Sequence, residues 1–104
     1  MKELNDDNFK EELGKSKLVL VDFYATWCGP CGIQSGILEK MNNSRSLNFE
    51  IVKFNVYNAP RLAMEYKIES IPTLMIFKDN TLVKKSVGLS EEEEILSMME
   101  EFED

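Results

Sequence analysis

Cys28 and Cys31 are the only cysteines in a chain of 104 residues, and they bracket a Gly29-Pro30 turn in the stretch ATWCGPCG. Two thiols three residues apart can serve as a structural staple, as half of a metal site, or as a reversible dithiol/disulfide. A staple this short removes little entropy from the unfolded chain, roughly 2 kcal/mol if the loop relation is stretched to so small a ring. A reducing compartment would not keep it closed. Structural zinc asks for four ligands, usually cysteine or histidine. This chain has no histidine and no third cysteine, so a metal site would need ligands shared between chains. The redox reading suits the location. A strand ends near Ala25 and a helix starts in the CGPC turn, which puts Cys28 at the helix N-terminus. Unpaired backbone N–H groups and the positive end of the helix dipole favour a thiolate there, and the thiolate is the attacking species. Pro30 has no N–H to lose in a first turn, and its fixed φ stiffens the loop. Cys31, one turn along, is placed to attack a sulfur bonded to Cys28. A C-x-x-C pair in a βαβ setting is a signature of redox chemistry.

The elements that must hold this turn can be read from the pattern around it. Asp7–Leu13 reads as a short helix with Phe9 and Leu13 on one face. Lys17–Ala25, KLVLVDFYA, is a nearly continuous apolar run that suits a central strand covered on both faces. A helix follows the cysteines to about Asn43. Phe49–Val56 alternates, with Val52, Phe54 and Val56 on one face and Ile51, Lys53 and Asn55 on the other. Pro60–Tyr66 reads as a short helix with Pro60 in its first turn, and Thr73–Phe77 as a buried strand. Asp79-Asn80 turns the chain into Thr81–Val87, giving a hairpin. Ser90 and Glu93 read as a capping box for a last helix whose buried side is Ile95, Leu96, Met98, Met99 and Phe102. Strands separated by helices imply parallel pairing with right-handed crossovers. The expected fold is α/β: a central mixed sheet of four to five strands, helices on both faces, a closing antiparallel hairpin, and one domain over residues 1–104.

Charge and hydropathy narrow the partners. The net charge is 12 − 19 = −7, which argues against nucleic acid and against an anionic membrane surface. No apolar run approaches the roughly 20 residues of a membrane span. The N-terminus, MKELNDDNFKEELGKSK, lacks the apolar core of a signal peptide, so a cytoplasmic location is expected.

With these residues in view, the chain resembles the thioredoxin family along nearly its whole length. The matching pieces are LVDFYATWCGPC, VKFNV, YKIESIPTLMIFKDN and VG at Gly88. They recur in the family's order and at its separations, and WCGPC is its active-site motif. The resemblance implies the thioredoxin fold and a general protein-disulfide reductase. Cys28 attacks a substrate disulfide, a mixed disulfide forms, and Cys31 resolves it. The redox-active Cys28–Cys31 disulfide is the only redox group implied, with no bound cofactor and no metal. Disulfide-containing proteins are the implied substrates, a thioredoxin reductase the implied electron donor, and a monomer the implied state. Asp22, placed in an apolar run where an unpaired carboxylate is costly, corresponds to the base that takes the proton of Cys31. Burial is expected to raise its pKa; the alternative is a structural Asp satisfied by hydrogen bonds. Lys53 matches a lysine near that carboxylate, and is otherwise a solvated strand lysine. Pro72 in SIPT matches a cis proline facing the cysteines, where the backbone of Ile71 would pair with an extended substrate. Trp27, Gly29, Pro30, Ile71, Pro72 and Gly88 would form the docking surface. Plain packing for Trp27 and a strand-end glycine at 88 are the alternatives.

Four positions depart from the family pattern. Gly32 replaces a common cation after Cys31, Gly36 a common helix-kinking proline, Tyr57 a residue that is often acidic, and Asn80 the usual turn glycine. Asn tolerates positive φ, so the turn is expected to survive. The same fold also serves oxidants and isomerases, and a binding module using the Trp27 surface without turnover is a further possibility. Replacing both cysteines by serine separates that last reading, because a binding module would keep its function.

Overall fold

The apolar run around Asp22 becomes the middle strand of the sheet, as its lack of a polar face requires. In the computed structural model, which describes residues 1–104, the elements are β1 (Lys2–Leu4), α1 (Phe9–Leu13), β2 (Leu18–Tyr24), α2 (Gly29–Ser44), β3 (Glu50–Asn55), α3 (Pro60–Glu65), β4 (Thr73–Lys78), β5 (Thr81–Val87) and α4 (Glu92–Glu100). The strand order is β1-β3-β2-β4-β5. β2 is thus hydrogen-bonded along both edges, and all its residues except Tyr24 are buried.

Side chains alternate across this strand and feed two cores. Val19, Val21 and Phe23 pack with Phe54, with Phe9 and Leu13 of α1, and with Leu62 of α3. Within that cluster Phe9 meets Phe54 and Phe77 edge-on, at centroid separations of 5.3 and 5.7 Å, a favoured aromatic geometry. Leu18 and Leu20 pack on the other face with Leu38 and Met41 of α2 and Ile95 and Met99 of α4. Helices therefore cover both faces of a mixed sheet, as the sequence pattern predicts. The alternation in β3 also holds: Val52 and Phe54 face the first core and Ile51 the second.

The five strands fall within the four to five expected, but two expectations need correction and one strand went unlocated. That strand is β1. Its three residues are too few to show a period, and Lys2 and Glu3 make them look like solvated chain. It pairs in parallel with β3 through Lys2↔Val52, Glu3↔Lys53 and Leu4↔Phe54.

Parallel pairing across every helical connection also fails. β2 and β3 are parallel, whereas β4 runs antiparallel to β2. The six residues of α3 advance only about 9 Å, half the length of a six-residue strand. The chain re-enters the sheet at the end it left: Asn55 ends β3 beside Tyr24, and Thr73 starts β4 beside Phe23.

The capping box lies one residue later than Ser90/Glu93. Glu91 is the N-cap, its side chain accepting the N–H of Glu94, while the Glu94 carboxylate accepts the N–H of Glu91. Ser90 is instead buried, with its backbone occupied elsewhere in the fold.

The hairpin turn forms at Asp79 and Asn80, whose φ values of 49° and 69° suit a type I′ connection. A register shift at Ile76/Phe77 follows, and β5 leaves Lys84 and Lys85 at the sheet edge.

α2 runs without interruption from Gly29 to Ser44. At Gly32 and Gly36 an added Cβ would meet nothing within 4 Å, so neither glycine is required by close packing. Gly36→Ala is expected to stabilise the protein by up to about 1 kcal/mol through helix propensity. Thermal denaturation should show this as a rise in Tm; a lower Tm would mean the helix depends on glycine there.

Candidate redox site

β2 delivers the chain into the first turn of α2, and the two cysteines occupy that turn. Cys28 is the N-cap of α2, in extended backbone conformation, and its Sγ accepts the N–H of Cys31 at 3.2 Å. The two form a disulfide with Cα atoms 5.2 Å apart. Their exposures differ. Cys31, in the first turn of α2, is buried at 2% exposure, while Cys28 is partly exposed. A reduced Cys28 sulfur therefore has a backbone N–H donor and the positive helix end beside it, both of which favour the thiolate.

Asp22 lies on the same strand, on the face that meets α2. It is completely buried and neither carboxyl oxygen has a hydrogen-bond partner. Desolvation raises its pKa from the ordinary 3.8 to about 7, with Lys53 pulling it down and Glu3 adding to the rise. Burial thus places this carboxyl where a proton acceptor at neutral pH is useful, and no hydrogen bond makes it a satisfied structural Asp. Lys53 stands beside it in register on β3. Its ammonium, however, donates to Ser35 Oγ at 3.0 Å and sits 4.5 Å over the Tyr24 ring.

The rim of the site comes from two distant segments. The Ile71–Pro72 bond is cis, and the Ile71 carbonyl oxygen is 3.9 Å from Cys28 Sγ. Gly88 adopts φ 92°, a conformation that favours glycine, and donates its N–H to the Pro72 carbonyl at 2.8 Å. These contacts join Cys28, Ile71, Pro72 and Gly88 around one another. Gly29 and Pro30 are exposed, Ile71 and Gly88 partly so, and the Pro72 ring is buried. Trp27 is 68% exposed and meets Tyr57 edge-on at 5.8 Å. Plain core packing does not describe it.

Two residues at the site were missed in the sequence. Gln34 is completely buried. Its amide donates to the Ser90 carbonyl at 3.1 Å and accepts the Ser90 N–H at 2.8 Å, tying α2 to the segment that follows Gly88. Its signal was present: Gln34 falls on the buried stripe Cys31, Gln34, Leu38, Met41, where a polar residue needs a partner. Glu3, on the hidden strand, accepts the Tyr24 hydroxyl at 2.5 Å.

A partly exposed cysteine bridged to a buried one, at a helix N-cap with a desolvated carboxyl on the strand leading into it, defines a protein built for dithiol/disulfide exchange. The comparisons with known proteins agree. A family model described as Thioredoxin matches residues 1–101. The chain is 36% identical over 96 residues to a thioredoxin of Chlamydia trachomatis, covering 92% of each chain. It is 39% identical over 95 residues to a thioredoxin of Listeria monocytogenes, covering 91% of each. A mutant thioredoxin from Halobacterium salinarum superposes with a TM-score of 0.90 at 27% identity, over 99% of this chain and 90% of that one. The chain belongs to the thioredoxin family, and its activity is thiol–disulfide exchange as a protein-disulfide oxidoreductase.

The state of Asp22 makes stability depend on pH. In the unfolded chain it titrates near its ordinary 3.8, and in the folded protein near 7. Between those values the folded state holds a proton that the unfolded state has lost, so stability falls as pH rises from about 4 to about 7, and the full penalty applies above that. Asp22→Asn is expected to stabilise the oxidised protein by up to about 4 kcal/mol at pH 8 and by much less at pH 4. Urea denaturation at the two pH values checks this; an equal effect at both would mean the carboxyl is not desolvated.

Proposed function

We propose that this chain, acting as a single domain and a monomer, is a general cytoplasmic protein-disulfide reductase in which Cys28 attacks and Cys31 resolves. The observation that carries this reading is the unequal exposure of the two cysteines. Only Cys28 is open to a substrate, and only Cys31 sits where a proton must be taken by a neighbouring group.

The cycle balances as follows. The Cys28 thiolate attacks one sulfur of a substrate disulfide, a mixed disulfide forms, and the first substrate thiolate leaves. The Cys31 thiol passes its proton to the Asp22 carboxylate and attacks Cys28 Sγ. The second substrate thiolate departs, and the Cys28–Cys31 disulfide has taken the place of the substrate's. Two electrons have moved to the substrate. A thioredoxin reductase returns them, with the flavin and nicotinamide belonging to that partner, so that the chain carries electrons between the two without a cofactor of its own.

Docking uses main chain more than side chain. An extended substrate segment pairs with the backbone of Ile71 by strand addition, beside Pro72 and Gly88, while Trp27, Gly29 and Pro30 supply the apolar rim. Such a surface reads many substrates weakly, which suits a general reductant. Lys53, one strand over, moderates the charge of Asp22. Gly32 leaves the start of α2 without a cation, so Cys28 relies on the helix end alone and anionic partners are drawn in less strongly.

Insulin reduction driven by dithiothreitol tests the cycle. The wild-type protein is expected to accelerate precipitation of the insulin chains, and Cys31→Ser is expected to stall as a mixed disulfide on Cys28 that mass spectrometry detects. No acceleration by wild type over dithiothreitol alone would overturn the general reductase reading, and a Cys31→Ser protein that turns over normally would overturn the assigned roles.

A further inference from the structure

Glu3, Lys53 and Asp22 stand side by side on three neighbouring strands, Glu3 paired with Lys53 and Lys53 with Asp22. The row lies on the α2 face of the sheet: Leu4, next to Glu3, points into the opposite core, and Lys53 reaches Ser35 of α2. An acid, a base and an acid in a row would be expected to draw the lysine between the carboxylates. Yet Lys53 makes no hydrogen bond to Asp22. Its ammonium is taken up by Ser35 Oγ and by the face of the Tyr24 ring, an arrangement favourable to a cation.

The Tyr24 ring is fixed in turn. Its hydroxyl donates to Glu3 Oε1 at 2.5 Å, and Glu3 Oε2 accepts the N–H of Asn55 at 3.2 Å. Both glutamate oxygens are therefore engaged, although the residue lies on an exposed edge strand. A tyrosine hydroxyl is protonated at neutral pH in any case, and burial and the Glu3 bond raise the Tyr24 pKa further.

We propose that Glu3 is a positioning residue for the resolving step: it holds the Tyr24 ring beneath the Lys53 ammonium, keeping that cation off Asp22, and adds a second negative charge to the row. This rests on the reading of Asp22 as the acceptor of the Cys31 proton. Both actions favour the protonated carboxyl, so Glu3 works on the reaction through Asp22 without touching the sulfurs. The charged groups whose fields act on Asp22 are Lys53 from β3 and Glu3 from β1. β4 places Leu74 opposite it, α4 brings the apolar Ile95 and Met99 to this face, and α2 brings Cys31, Gln34 and Ser35, of which only Cys31 titrates once reduced.

The test is a carboxyl carbon NMR titration of the oxidised protein at low salt, with the Asp22 resonance assigned by its loss in Asp22→Asn. Glu3→Gln is expected to lower the Asp22 midpoint by about 0.3 to 1 pH unit, the influence of one charge ~10 Å away, two strand spacings, under surface screening. Glu3→Lys is expected to lower it further. Glu11→Gln, on α1 across the sheet, serves as the control for lost surface charge. A midpoint in Glu3→Gln that stays with wild type, rises, or falls no more than in Glu11→Gln overturns the proposal. A purely structural role would change Tm without moving this midpoint. The titration needs neither substrate nor turnover, so it can fail while the reductase assay succeeds, and the reverse.

Discussion

The cysteine pair stands where it does because β2 is buried on both faces and hydrogen-bonded on both edges. A strand so enclosed has one register that keeps Val19, Val21 and Phe23 in one core and Leu18 and Leu20 in the other, and a slip by one residue would exchange them. That register fixes where the strand ends, and so where α2 begins. The N-cap position of Cys28 and the depth of Cys31 follow from it. The same enclosure holds Asp22 without a partner. Burial therefore has two effects at a single residue: the carboxyl that lowers the stability of the sheet is also the one whose proton affinity is raised to about neutral pH.

The surroundings of the sulfurs come from chain segments far apart in sequence, and backbone groups make most of the connections. Cys31 N–H meets Cys28 Sγ, Gly88 N–H meets the Pro72 carbonyl, and the Ile71 carbonyl faces Cys28. The buried Gln34–Ser90 pair ties the helix that carries the cysteines to the segment after Gly88. Placement of the rim thus depends on main-chain geometry more than on the identity of most rim side chains. This accounts for a site that persists while Gly32, Gly36 and Tyr57 depart from the family pattern.

How much of this was legible depended on the range of the interaction that fixed each part. The two-sided burial of β2, the alternation in β3, the hairpin at Asp79-Asn80 and the helix starting at the cysteines are short-range patterns, and they were readable. β1 was not, because three residues carry no period and its pairing partner lies about fifty residues away. The reversed direction of β4 escapes the rule that helical connections cross the sheet, because the short α3 returns the chain to the end it left. The cap moved from Ser90 to Glu91 because Gln34, on another helix, had already claimed the Ser90 backbone. At the site, Cys28, Cys31 and the buried carboxyl stood out by residue type. Gln34 left a trace as the polar member of a buried helical stripe, but its partner, like the role of Glu3, exists only once the strands and helices are assembled.

The two borders of the sheet carry a consequence for the molecule in a crowded solution. One border is a strand of three residues, with a lysine and a glutamate on it. The other, β5, is longer but has Lys84 and Lys85 at its middle and a register irregularity beside it. If two copies approached with these long borders antiparallel, lysines would face lysines, and the irregularity would twist the ladders out of alignment. The open backbone groups that invite growth into fibrils are thus guarded by charge and by shape. Both outer edges of the sheet are thereby kept unreceptive to the strands of other chains.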